Sequence, residues 1–382
     1  METQPFEIAT RDGRTRLTGQ VDLPAGAAAT RCPAVLMVPG GWFMDRDGYM
    51  GNSGTERDLI YRDLGKDIVA AGIGVVRYDN RGVRCNEMTM PPFPQGSSEL
   101  EVTKHYLNAC VDPDVRQTVT IQTQMDDVED VWAFTINHPR LDPERALIWA
   151  HSEGCSNTAR LIGAGRIRPR GLVFVGTGAE SPVGLVRWQT VDRYAEHVMA
   201  WDGDGDCRVT EADVEREFPK DPLFTAVGVP RKLLTAPSEG WTLETIRARF
   251  AGEYEAMKAA ALAKPDDAPY PDPSPEFRMV VASNNWWKQW FTDTTPMIDH
   301  LAGYLGRASF HIGAIDAQNS GERGFAFAEN RIKAVLFARP PRLVLHRARG
   351  HSLRTGEPVA GPMDVEAKAC LVKEIVEVLS AD

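Results

Sequence analysis

The segment Ala146-Leu147-Ile148-Trp149-Ala150 runs directly into His151-Ser152-Glu153-Gly154. No other stretch limits the possible folds as much. A short apolar run of this kind reads as a buried strand. Small residues two places either side of a serine, Ala150 and Gly154, let a strand and a helix approach around a sharp turn. The pattern small-x-Ser-x-small is that of a nucleophile elbow, which holds one hydroxyl proud of a sheet. The plain alternative is a buried strand followed by a serine helix cap.

An elbow serine needs a base, an acid that orients the base, and donors for an oxyanion. Ala308 to Asp316 reads as a strand ending in an acid, and Arg342 to His346 as a strand followed by Arg349-Gly350-His351. Asp316 and His351 thus fall just past the carboxyl ends of strands, where open α/β sheets build their sites. His346 sits inside a strand run and His311 precedes the acid, so both fit the role of base less well. Asp316 as a loop or capping residue remains the plain reading. Pro33 to Val38 is an earlier strand, followed by Pro39-Gly40-Gly41-Trp42. Glycines there allow backbone N–H groups close to a substrate. The expected donors are Trp42 or its neighbour Gly41, and Glu153 after the serine.

These pieces, with Asp45-Arg46-Asp47-Gly48 and Tyr78-Asp79-Asn80-Arg81-Gly82, resemble the α/β-hydrolase superfamily, in particular a bacterial esterase and dipeptidyl-peptidase-like branch. The resemblance covers roughly residues 1–180 and 307–382. It implies a serine hydrolase with the triad Ser152, Asp316 and His351, in the superfamily's chain order of serine, acid, histidine. It also implies structural roles for Asp79 and Arg81. Ala150 departs from the usual first glycine of the elbow.

Strand and helix signals alternate through those two regions, which predicts an α/β fold with a doubly wound, mostly parallel sheet. A hairpin around Asp12-Gly13 opens the chain. Helices are expected over Leu59–Ala71, Thr118–Asn137, Gly324–Phe337 and Met363–Leu379, and residues 84–115 show no clean period. At 382 residues the chain is long for one core. Residues 181–306 therefore read as a mainly helical cap insertion, interrupted by a Pro/Asp-rich break over Lys264–Pro275. Near its end, Trp286, Trp287, Trp290 and Phe291 place four large aromatics in six positions. The three tryptophans are candidates for the substrate pocket, with packing of the cap on the core as the equal alternative.

Within the insertion, Asp202-Gly203-Asp204-Gly205-Asp206-Cys207-Arg208-Val209-Thr210-Glu211-Ala212-Asp213 matches an EF-hand loop. Asp202, Asp204 and Asp206 fill positions one, three and five. Arg208 offers its carbonyl at seven, Val209 is the apolar eighth residue, and Asp213 takes the twelfth. Clustered oxygens of this kind suit a hard cation, so a structural Ca²⁺ is expected, and no organic cofactor. Cys207 replaces the usual glycine and Asp213 the usual glutamate. No partner loop is evident. A solvated acidic turn is the plain reading.

The expected activity is hydrolysis of small carboxylic esters through an acyl-enzyme. A peptidase or amidase of the same fold is one alternative, and a calcium-dependent binding protein on a relic hydrolase fold is another. The formal net charge of −10 argues against nucleic acid as a partner. No apolar run approaches a membrane span. The six cysteines are scattered without metal spacing. With no secretory leader visible, they read as reduced thiols in a cytoplasmic protein.

Overall fold

A computed structural model of the chain describes residues 1–26, 31–49, 59–85, 89–92, 94, 96, 97, 99–221, 224, 231–271, 279–355 and 362–381. Strand sequences dense in Val, Leu and Ile form one eight-stranded sheet. Its strands are β1 (Glu2–Ala9), β2 (Arg16–Leu23), β3 (Cys32–Val38), β4 (Gly74–Tyr78), β5 (Leu141–His151), β6 (Gly171–Val175), β9 (Arg307–Gly313) and β10 (Arg342–His346). The order is β1-β2-β4-β3-β5-β6-β9-β10. The hairpin β1–β2 is antiparallel and joins β4 antiparallel. Every later pairing is parallel. A separate two-stranded ribbon pairs β7 (Pro269–Tyr270) with β8 (Ala282–Ser283).

The central strands are buried on both faces, as parallel sheets require. Alternate residues of β3 and β5 serve two different cores. Val35, Met37, Leu147 and Trp149 pack with the helices Ile60–Ala70 and Val365–Ser380. Leu36, Val38, Ile148 and Ala150 face the helices Ile121–Asn137 and Glu153–Gly163. This is the doubly wound, mostly parallel α/β architecture that the alternating sequence pattern predicts.

Three expectations are corrected. Residues 84–115 contain a regular helix, Glu99–Cys110, and a short one, Pro113–Arg116, capped by Asp112. The longer helix is only weakly amphipathic in sequence, which hid it. Cys110, at its end, forms a disulfide with Cys85 across 25 residues, so these two cysteines are not reduced thiols. Scattered spacing could not reveal a pair that only the chain's path brings together. The second compact unit spans Val183–Lys264 rather than 181–306, and residues from Pro265 onward belong with the sheet. The Pro/Asp-rich break supplies that boundary, and its residues 272–275 lie outside the described residues.

The Val183–Lys264 unit is helical, with Arg193–Met199, Glu211–Glu217 and Leu243–Ala263 as regular segments. Tyr194 packs its ring 5.1 Å from Phe224 and 5.4 Å from Phe250. Among the described residues no helix is long and apolar enough to cross a membrane.

Charged residues near the sheet's carboxyl edge are buried in pairs. Arg77 bonds Asp22 and Asp47, Arg46 bonds Asp79, and Arg81 holds Asp127 through two nitrogens. Asp79 and Arg81 thus serve in ion pairs of the scaffold. The fully buried Asp45 accepts the N–H groups of Asp47 and Tyr49, each at 2.8 Å. Burial, and then the nearby Asp47 carboxylate, push its carboxyl up to about 8. In the unfolded chain an aspartate ionises near pH 4. Between about 4 and 8 folding therefore takes up a proton, and this residue's contribution falls as pH rises. Asp45→Asn retains an acceptor oxygen and removes that titration. Urea midpoints measured at pH 5 and pH 8 should fall less for the variant than for the wild type; equal slopes would remove Asp45 as their source.

Candidate active site

Strand β5 ends at His151, and the helix Glu153–Gly163 begins with one residue between them. Ser152 alone makes the turn, with φ +51 and ψ −125. A non-glycine residue in that region carries strain and persists only where its surroundings fix it. Here the Ser152 N–H donates to Val175 O of β6 at 3.0 Å, and Cys155 N–H donates back to Ser152 O at 3.0 Å. Ser152 occupies the N-cap position of the helix, but its hydroxyl makes no capping bond. Gly154 explains the small residue after the serine, since a Cβ there would collide with Pro39 O. Ala150 is fully buried in β5.

The expected acid and base meet. His351 Nδ1 lies 3.0 and 3.1 Å from the two oxygens of Asp316. Asp316 is buried, and its Oδ1 also accepts the N–H groups of Gln318 at 2.7 Å and Asn319 at 3.0 Å. A carboxylate fixed in this way keeps the proton of neutral His351 on Nδ1 and leaves Nε2 as the free base nitrogen. The alternative bases are engaged elsewhere: His311 lies between His346 at 3.0 Å and Glu374 at 3.0 Å.

The turn after β3 lies against the serine. A Cβ on Gly40 would be 3.2 Å from Ser152 Cβ and 3.1 Å from His151 Nδ1. Asn80 Nδ2 ties the turn down by donating to Gly40 O at 2.7 Å and Trp42 O at 3.3 Å. Trp42 adopts φ +66. Its N–H, and that of Glu153, have no acceptor among the described residues. Gly41 contributes in another way as well, because a Cβ there would collide with the Glu153 carboxylate.

Trp286 belongs to this arrangement through its polar edge. Its indole N–H donates to Glu153 Oε1 at 2.5 Å, and the ring is buried in the core. Burial pushes the Glu153 carboxyl up, while bonds from Trp286 and Gln124 pull it down. Trp287 stacks on Tyr270 at 4.4 Å, and Trp290 meets Trp286 edge-on at 5.7 Å. The tryptophans thus form a packed cluster in the same compact unit as the sheet.

In the Val183–Lys264 unit, carboxylate oxygens of Asp202, Asp204 and Asp206 come within 4.8 Å of one another. Gly205 between them adopts φ +76, and Cys207, just after them, takes φ +63 without being a glycine. Asp213 is engaged elsewhere: it accepts from Thr210 N–H at 2.9 Å in a capping box and from Arg216 at 2.7 Å. Arg208 N–H bonds Asp206 at 2.8 Å. Val209 and Trp241 exchange backbone bonds at 2.9 and 2.8 Å, and each is followed by a threonine that caps a helix. The hard oxygens of three clustered aspartates fit a divalent cation.

Sequence reasoning assigned no role to Tyr61, Asn80 and Ser352, which bond to residues of the site from three distant segments. Asn80 stands within the Tyr78-Asp79-Asn80-Arg81-Gly82 motif, but nothing local marks Tyr61.

No protein-family model matches the chain. No curated protein matches it. Solved structures do. A lipase in its open form is 14% identical with a TM-score of 0.53, and the match covers all of both chains. An α/β-hydrolase, GrgF from Penicillium sp. sh18, is 17% identical with a TM-score of 0.51, covering 99% of this chain and 98% of that one. A highly thermostable carboxyl esterase from Bacillus coagulans, in complex with glycerol, is 11% identical with a TM-score of 0.51, covering 99% of each.

Gly154→Ala tests the elbow's packing. The clash is with backbone, which cannot swing aside, so the variant should lose about 1–3 kcal/mol in urea unfolding. An unchanged midpoint would mean that strand and helix are not held this closely. The strand order, the turn at Ser152 and the solved structures it matches agree: this chain has the α/β-hydrolase fold.

Proposed function

We propose that this chain is a serine hydrolase that cleaves carboxylic esters through an acyl-enzyme on Ser152. The observation that carries the reading is the strained turn at Ser152, in the same site as a histidine held by a buried carboxylate. The hydroxyl at this turn makes no capping bond to the helix that follows.

In this mechanism His351 Nε2 takes the Ser152 proton as Oγ attacks the carbonyl carbon. The oxyanion accepts the N–H groups of Trp42 and Glu153; loss of one such donor typically costs about 10²–10³ in rate. The imidazolium, stabilised by Asp316, then protonates the departing alcohol. Water enters and gives its proton to His351. The second tetrahedral intermediate collapses to release the acid and restore the serine. Esters are favoured over amides because their leaving groups need little assistance. A lipase and a carboxyl esterase among the structures of like fold support the same class.

The reading gives Ca²⁺ a structural role only, held by Asp202, Asp204 and Asp206 with the Arg208 carbonyl. Asp213 joins that set only by leaving Arg216. The Cys85–Cys110 disulfide favours a compartment in which disulfides persist over the reducing cytoplasm.

Ser152→Ala should lower hydrolysis of short p-nitrophenyl esters more than about 1,000-fold while leaving the melting temperature near that of the wild type. A variant that keeps its activity would remove Ser152 as the nucleophile. For the loop, calorimetric titration of wild type with CaCl₂ should give binding heat that Asp202→Asn/Asp204→Asn abolishes. A chelator should lower the melting temperature of the wild type alone. No heat with the wild type would remove calcium from the account.

A further inference from the structure

The residue before the nucleophile carries a role that the triad does not include. His151 is 1% exposed, and both ring nitrogens are engaged. Nδ1 lies 2.9 Å from the Tyr61 hydroxyl, and Nε2 lies 3.0 Å from Ser352 Oγ. The Tyr61 oxygen accepts the N–H of Gly40 at 2.8 Å, at the foot of the turn that presents Trp42. Ser352 is the residue after His351. One imidazole therefore connects the oxyanion turn with the segment that carries the base, directly behind the serine.

We propose that His151, as a neutral imidazole bridging Tyr61 and Ser352, is a positioning residue that fixes the base His351 and the oxyanion turn relative to Ser152. The proposal rests on the esterase reading of this site.

The donors and acceptors define one direction along the chain of bonds. Gly40 N–H occupies one lone pair of Tyr61. The phenol's own hydrogen has two acceptors in reach, Met44 Sδ at 2.6 Å and His151 Nδ1. An imidazole nitrogen is the far better acceptor. Nδ1 then accepts, Nε2 carries the hydrogen, and Ser352 Oγ receives it. Histidine suits this place because a rigid ring offers one acceptor and one donor on different edges.

Charge points the same way. The His151 ring centroid is 5.0 Å from that of His351. In acylation His351 becomes a cation, and a second cation in a dry site at that distance would oppose it. Burial, with His351's charge, holds the His151 imidazole well below its usual range and so keeps it neutral. The space is also tight, since a Cβ on Gly176 would collide with His351 O and come 3.3 Å from His151 Nε2. A lost bond at Ser352 is therefore transmitted to the adjacent His351 backbone. Small displacements of a catalytic group carry large rate penalties.

The test compares His151→Phe with His151→Gln. Phenylalanine keeps the ring and removes both bonds; glutamine restores a donor and an acceptor. With p-nitrophenyl esters, His151→Phe should lower kcat about 10–100-fold with KM within about twofold of the wild type. His151→Gln should recover most of that loss. The proton NMR signal of His351 Nδ1–H against Asp316 provides a readout independent of turnover. It should broaden or vanish in the Phe variant and persist in the Gln variant. Wild-type kcat in His151→Phe, or the same His351 signal in all three proteins, overturns the proposal. A kcat loss that follows melting temperature without rescue by glutamine also overturns it. A wild type that neither hydrolyses esters nor reacts with a fluorophosphonate defeats the esterase reading instead, and the His351 signal then decides the positioning role by itself.

Discussion

The backbone at Ser152 is the constraint around which the site is arranged. A residue at φ +51 between a strand and a helix is stable only when neighbouring segments hold it. Val175 accepts its N–H, Gly154 admits the carbonyl of Pro39, and Gly40 admits the serine itself. Each close approach needs a glycine or a buried strand edge. The turn thereby fixes how near β3, β5 and β6 and their following loops must come. Asp316 and His351 arrive in the same place because β9 and β10 extend the parallel sheet in register beyond β6.

The polar groups around the turn form a connected set. His351 is held by Asp316, and Asp316 by two backbone N–H groups. The Gly40-Gly41 turn after β3 is held from one side by Asn80 and from another by Tyr61. Glu153 is secured by Trp286. Buried polar groups are costly when unpaired, so such a set favours one geometry over near alternatives. Trp286 uses both parts of its side chain: its N–H bonds a carboxylate and its ring is buried in the core.

The acidic loop shows how far sequence pattern reaches. Asp202, Asp204 and Asp206 bring carboxylate oxygens within 4.8 Å of one another, and Cys207 takes the left-handed conformation normally left to glycine. The spacing did not reveal that Asp213 is drawn into a helix cap by Thr210 and Arg216. Only the three-dimensional arrangement shows that this carboxylate serves the helix cap. The pairing of Val209 with Trp241 was equally hidden, because the second segment has no acidic spacing of its own.

What the sequence determined by itself was local: apolar runs that form strands, and the candidate site residues that follow them. Ser152, Asp316, His351 and the Gly40-Gly41 turn all lie within a few residues beyond the carboxyl ends of strands, and the alternation of strand and helix signals was enough for a doubly wound α/β sheet. What only the tertiary structure decided depends on residues far apart in the chain. Tyr61 meets His151 across 90 positions, Trp286 meets Glu153 across 133, and Ser352 meets His151 across 201. Tyr61 reads in the sequence as one more apolar position on a helix, and Cys85 and Cys110 as two scattered thiols. Hydrophobic periodicity reports which face of an element is buried, not which partner it meets there. The hydrogen-bond partners are set by strand order and register, which come into being only when the sheet is assembled.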